Sequence, residues 1–327
     1  MRKLNPNLFA VIIAVSLFLS CTKNKTTPVI SASQPTSEVS TGYNNLTIED
    51  VIYANNKNWL DDYQDLDLDV YLPTPAKTAQ KFPLVLFIHG GGFTSGDKST
   101  SKADCQILAL NGFTVASINY RVGWSSPADQ TSATYRALQD AHAALRFLVA
   151  NADEYSIDTR WIFVEGPSAG AITTLNMAYL PQDSADVYYR SASNRLGPLY
   201  SAGNDLTNTY VIRGVASLWG SLVSPYLITK KTYVPTIFFH GEEDNIIPWD
   251  EGNFYNDPDF PVTYGSKSLY DYIDAHHKAA VAHIDPKGNH GIYDSDFNQT
   301  NVACFFNSIM NGNPQKGIYY TEVPNCE

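Results

Sequence analysis

Basic residues are scarce in this chain. Its 327 residues include 22 Lys and Arg against 33 Asp and Glu, a formal net charge of -11, and no basic stripe appears. That balance argues against nucleic acid, whose phosphates need clustered cations. Charge of either sign is sparse, at 17%, while hydrophobic residues reach 44% and aromatics 13%. A chain so composed can bury a core, and global disorder is excluded. No cysteine spacing suggests a zinc or haem site, and neither metal nor cofactor is expected. The stretch Leu8 to Leu19 is apolar, but its 12 residues are too few to span a bilayer comfortably. There is no internal repeat and no linker that would split off a second catalytic domain. The length fits one large α/β domain or two small ones.

The first residues read as a leader. Arg2 and Lys3 precede the apolar stretch and Ser20-Cys21 follows it, the layout of a secretory signal peptide. The sequence "FLSC" resembles a bacterial lipoprotein box, with Leu19 bulkier than the usual residue there. The resemblance implies that Cys21 becomes the lipidated N-terminus of an exported protein, anchored to a bacterial membrane and facing the periplasm or exterior. An ordinary signal peptide cleaved nearby is the alternative. Removing residues 1–20 deletes Arg2 and Lys3 and brings the charge to about -13. Residues 22–45, rich in Thr, Ser, Asn, Pro and Lys, read with Cys21 as a flexible tether. The domain expected to carry function is 46–327. Export places Cys105, Cys304 and Cys326 in an oxidising compartment. Three pairings are open; the short C-terminal loop favours Cys304 with Cys326, leaving Cys105 on a helix.

Short apolar runs fall at 83–90, 113–120, 161–166, 211–220, 235–241 and 280–286. Runs this short and this apolar suit strands buried on both faces of a parallel sheet. Helical patterns lie between them, over 101–110, 133–149, 169–180, 266–279 and 296–310. In the second of these, Ala137, Leu138, Ala141, Leu145 and Leu148 build one apolar face. Strands alternating with helices predict a right-handed, mostly parallel α/β sheet. "DLDLDVYLP" (65–73) alternates polar and apolar and reads as an antiparallel edge strand. Residues 181–210, polar and bearing Tyr188, Tyr189 and Tyr200, read as an insertion.

The stretch "FVEGPSAGA" (163–171) sends a strand straight through Gly166-Pro167-Ser168-Ala169-Gly170 into a helix. This is the nucleophile-elbow pattern: side chains flanking the serine would clash, and glycine has none. The alternative is a tight turn that happens to hold a serine. Upstream, His89-Gly90-Gly91-Gly92-Phe93 follows the strand "PLVLFI". Three glycines let backbone N–H groups turn outward, as oxyanion donors must; the Lys-Ser/Thr ending of a phosphate loop is missing. A serine nucleophile needs a base, and the base an orienting acid, in the chain order Ser, acid, His. "FFHGEEDNIIP" (238–248) offers Glu242, Glu243 and Asp244, and "GNHGIYD" (288–294) offers His290.

With these motifs the chain resembles the α/β-hydrolase superfamily over roughly residues 66–310, especially carboxylesterases and lipases with an HGGG loop. The resemblance implies an α/β-hydrolase fold with helices on both faces of the sheet. It places Ser168, Asp244 and His290 as the catalytic residues, with Glu243 and Asp250 as runners-up for the acid. Gly91, Gly92 and Ala169 become the oxyanion donors. It makes His89, His240 and the Tyr120-Arg121 pair structural. His142 lies on a helical pattern, His276-His277 end one, and His283 falls inside a strand. Pro167 departs from the commonest esterase elbow; it fixes φ and removes an N–H. The expected activity is serine carboxylic-ester hydrolysis through an acyl-enzyme, on a small-molecule or glycan ester, with acetylated or feruloylated carbohydrate as candidate substrates. An exported serine peptidase of the same fold and a non-catalytic binding module are the rivals. Trp124, Trp219 and Trp249 lie near strand ends and are candidates for the pocket wall.

Overall fold

The computed structural model describes residues 30–32, 44–74 and 80–326; Cys21, the leader and most of the tether segment lie outside them. The strands are β1 (Ile30–Ala32), β2 (Asn44–Lys57), β3 (Tyr63–Thr74), β4 (Phe82–Ile88), β5 (Thr114–Ile118), β6 (Ile157–Pro167) and β7 (Ile212–Leu218). They continue with β8 (Ser221–Leu222), β9 (Thr236–Gly241), β10 (Glu251–Asn253), β11 (Val262–Gly265), β12 (Ala280–Asp285) and β13 (Gly317–Tyr320). The helices are α1 (Lys102–Leu110), α2 (Pro127–Ala150), α3 (Ala169–Tyr179), α4 (Gln182–Tyr188), α5 (Arg190–Leu196), α6 (Ser266–Ala275) and α7 (Ser295–Met310).

Ten strands form one sheet in the order β1-β2-β3-β5-β4-β6-β7-β9-β12-β13. From β5 through β13 the pairings are parallel, while β1, β2 and β3 join antiparallel. The chain has the α/β-hydrolase fold. Its central strands read as continuous apolar runs because both faces are covered: Leu84, Val85, Leu86, Phe87 and Ile88 are all fully buried. One apolar cluster unites α2 and α3 with one face, and a second packs α1 and α7 on the other. Each such side chain contributes about 1.5–3 kcal/mol relative to exposure.

One expectation is corrected. The stretch 65–73 is not an edge: β3 pairs with β2 on one side and β5 on the other. Its alternation arises at Asp67 and Asp69, whose carboxylates hold Lys98 Nζ at 3.2 and 2.9 Å. The insertion 181–210 lies between α3 and β7 as expected and carries α4 and α5. In addition, β1 falls inside the segment read as a tether and pairs with β2, which itself starts at Asn44. Cys304 and Cys326 are joined in a disulfide with Cα atoms 5.7 Å apart, and Cys105 is free and buried on α1. Closing a loop over a separation of 22 residues stabilises by about 3 kcal/mol in the chain-entropy account.

Candidate active site

The site forms where β4, β6, β9 and β12 end. Ser168 stands between β6 and α3 with φ 54° and ψ -119°, a left-handed conformation that costs a non-glycine residue about 1–3 kcal/mol. The surroundings enforce it. Ser168 N–H donates to Leu218 O at 2.9 Å, and Ile172 N–H donates back to Ser168 O at 3.0 Å. Flanking side chains are impossible: a Cβ on Gly166 or Gly170 would lie 2.3 or 1.9 Å from Ile88 O on β4. The two glycines therefore exist to let the elbow press against the neighbouring strand. The same turn starts α3 at Ala169, whose N–H has no acceptor within the helix and lies at its positive end.

His290, in the loop after β12, places Nε2 2.9 Å from Ser168 Oγ and Nδ1 2.8 Å from Asp244 Oδ2. An ionised carboxylate only accepts, so Nδ1–H donates to Asp244 and Nε2 is left to accept from the serine O–H. The Asp244 side chain is fully buried in the loop after β9. Its Oδ1 accepts the N–H groups of Ile246 and Ile247 at 2.8 and 3.0 Å, and Oδ2 lies 3.2 Å from His240 Nε2. Burial alone would raise its pKa, but the hydrogen bonds from His240, His290 and the Ile246 N–H outweigh burial and hold it well below the carboxylate range. The runners-up point elsewhere: Glu243 is exposed, and Asp250 accepts from Ser268 Oγ. His240 is therefore more than a strand-end residue, because its Nε2 and His290 Nδ1 both approach the same Asp244 oxygen.

The glycine loop lies against the elbow. Gly91 and Gly92 adopt φ +110° and +61°, and a Cβ on Gly91 would lie 2.1 Å from Ser95 O. Gly90 O accepts from His89 Nδ1 at 2.6 Å, and Gly91 O accepts the N–H groups of Thr94 and Ser95 at 3.0 and 3.1 Å. In a trans peptide the N–H points away from the preceding carbonyl, so these bonds fix where the Gly91 and Gly92 N–H groups point. His89 is itself stacked on Tyr120 at 4.3 Å, and Tyr120 O–H donates to His89 O. Arg121 is buried and paired with Asp140 through N–H bonds of 2.8 and 2.9 Å. His283, buried between Phe239 and Tyr319, bonds Asn325 and takes no part.

Beside Ser168 lies a pocket of about 20 Å³. Trp124 lines it and donates Nε1–H to Gly92 O at 2.8 Å. Trp219 faces the His290 ring at 6.3 Å, and Trp249 stands behind His240. The rest of the wall was not foreseen: Gln130 and Ile172 from α2 and α3, and Phe254, Tyr255 and Phe260 from the segment between β10 and β11. Nothing local in the sequence says that this segment folds back over the serine.

The fold is that of the α/β-hydrolases, and the site holds a hydrogen-bonded serine, histidine and aspartate. The family described as BD-FAE matches residues 68–196. Carboxylesterase 3B of Mus musculus is 30% identical over 131 residues, 39% of this chain and 23% of that protein; the chain thus spans about a quarter of the relative's length. Among solved structures, a truncated carbohydrate esterase from gut microbiota superposes with a TM-score of 0.58 at 19% identity, covering 81% of this chain and 96% of the other. Esterase 2 of Thermogutta terrifontis, phosphorylated by paraoxon, gives 0.54 at 18% identity, covering 82% and 96%.

Proposed function

We propose that the protein is a serine carboxylic-ester hydrolase that works through an acyl-enzyme. The observation that carries this is the hydrogen-bonded series Ser168–His290–Asp244, 2.9 and 2.8 Å per link. Ser168 Oγ attacks the ester carbonyl carbon as His290 Nε2 takes its proton. Asp244 holds the imidazole in the Nδ1–H tautomer and stabilises the imidazolium. The N–H groups of Gly91, Gly92 and Ala169 receive the oxyanion, each worth roughly 3 kcal/mol in the transition state. The carbon–oxygen bond to the alcohol then breaks, and Nε2–H protonates the leaving oxygen. Water, deprotonated by the same nitrogen, releases the acid and restores Ser168.

The acyl group we assign is acetyl rather than feruloyl. A space of about 20 Å³ holds little more than one water-sized group, and aromatic rings close it. The alcohol is a carbohydrate hydroxyl; the likeness to a carbohydrate esterase supports this. On p-nitrophenyl esters, acetate is expected to be turned over with kcat/KM about tenfold or more above butyrate. Phe260→Ala should narrow that ratio severalfold while keeping acetate turnover. Equal rates on acetate and butyrate by the unaltered protein would refute the acetyl assignment.

We also propose that Cys21 carries a lipid anchor, on the support of the sequence "FLSC" alone. In a bacterial host the full chain should partition into the detergent phase, and Cys21→Ala should move it to the aqueous phase. An unaltered partition for the variant would count against the anchor.

A further inference from the structure

A second cavity, of about 580 Å³, lies at the other end of the sheet, under the loop that leads into β7. Eight residues of nearly extended chain separate Tyr210 at its edge from Leu218 beside Ser168, roughly 25 Å at strand rise. The cavity is therefore independent of the hydrolytic reading. Its volume falls in the range of ligand pockets, about 300–1,000 Å³.

Arg146 on α2 forms its floor, only 3% exposed. Nε donates to Asn204 Oδ1 at 3.2 Å and Nη2 to Ala202 O at 2.6 Å. Nη1 is buried and finds no acceptor among the described residues. Among the described residues no carboxylate pairs with this guanidinium, although Asp205 lines the same cavity from its exposed loop. Burial of the cation lowers its pKa, and among the nearby groups only Tyr210 acts to raise it. Asn204 is itself locked by its Nδ2 donating to Tyr53 O and Ala143 O, both at 3.0 Å. Tyr210 is held by His142 Nδ1 at 2.5 Å, and the Tyr200 ring lies 4.6 Å from the same imidazole. The cavity is thus lined by the Arg146 side chain, whose Nη1 is buried just behind its surface without an acceptor, by two tyrosine rings and by amide side chains at its rim.

A buried charge without a partner is unfavourable, and an entering carboxylate relieves it through charge-assisted hydrogen bonds. Tyrosine rings offer flat apolar faces with a polar tip; amides such as Asn208 match hydroxyls. We infer that this cavity binds a glycan unit bearing a carboxylate, a uronic acid, with the carboxylate on Arg146 and the ring against Tyr200 and Tyr210. Such a site would hold an acidic polysaccharide on the protein while a distant ester is presented to Ser168.

The test is calorimetric and NMR titration of the full chain with glucuronic acid, glucose, acetate and sulfate. Glucuronic acid is expected to bind about tenfold or more tightly than glucose or acetate. Arg146→Gln should erase that preference and leave hydrolysis of a small soluble ester unchanged. Should Arg146→Gln not fold, three surface variants decide. Tyr200→Ala should weaken glucuronic acid severalfold, and Asn208→Asp should weaken it about tenfold by like-charge repulsion without affecting glucose. Asp205→Asn should tighten it. The inference is overturned if glucuronic acid binds no better than glucose, if acetate or sulfate binds equally well, or if none of the surface variants changes its affinity.

Discussion

Ser168→Ala is expected to lower kcat for an aryl acetate by a factor on the order of 10^5 to 10^6, with labelling by a fluorophosphonate abolished. The loss is this large because covalent catalysis disappears altogether. Oxyanion donors and binding remain, so a residual rate above water should survive. Far-UV circular dichroism should be unchanged. A sharper version uses the backbone. Ser168 sits at φ 54°, ψ -119°, where a Cβ is strained and glycine is not. Ser168→Gly should therefore abolish turnover equally and raise the unfolding free energy by about 1 kcal/mol, measured by urea denaturation. Activity gained at the expense of stability is what a nucleophile elbow embodies. Normal fluorophosphonate labelling of either variant would mean that Ser168 is not the nucleophile.

Asp244→Asn is expected to lower kcat by about 10^4, for a reason the local geometry makes specific. Oδ1 is pinned by the N–H groups of Ile246 and Ile247 at 2.8 and 3.0 Å. The new amide oxygen must stay there, which turns the NH2 toward His290 and His240. A donor facing His290 Nδ1 drives that ring to its other tautomer, with the proton on Nε2, and Ser168 loses its acceptor. Stability falls as well, because hydrogen bonds to an ionised acceptor are worth about 1.5–3 kcal/mol each and the neutral amide weakens them. The pH dependence has a definite sign. The Asp244 pKa is depressed in the folded state, against burial, by its hydrogen bonds from His240, His290 and the Ile246 N–H. Its contribution is therefore complete above the unfolded aspartate value of about 3.9, and it is lost as pH falls through the lower folded value. Thermal scans from pH 6 downward should show the original protein losing stability in that acid window more steeply than Asp244→Asn. Parallel curves would show that Asp244 is not held ionised by these partners.

The parallel strands and their covering helices were readable because double burial leaves a plain mark, an unbroken apolar run of five to seven residues such as Leu84 to Ile88. The elbow was readable for a related reason: Gly166 and Gly170 stand where a Cβ would strike Ile88 O at 2.3 and 1.9 Å, so the contact is written in the residue type. β3 was misplaced at the edge because its polar alternation reports a buried lysine, Lys98, paired with Asp67 and Asp69. Alternation tells which side chains are polar, and solvent is only one way to satisfy them. The short strands β8, β10 and β11, which lack such runs, left no comparable mark.

Composition, order and local spacing sufficed for most of the architecture, the elbow, the glycine loop and the three residue types of the site, since each leaves its mark in one short stretch: an apolar run, a serine between glycines, or an acid or histidine just after a strand. Which of Glu242, Glu243 and Asp244 turns inward, that His240 braces the acid, and that Phe254, Tyr255 and Phe260 narrow the pocket beside Ser168 were decided only by the assembled chain. The same holds for the unpaired guanidinium of Arg146. Those features come from long-range packing, where burial and hydrogen-bond direction are set by residues far apart in the sequence, and no local pattern encodes them.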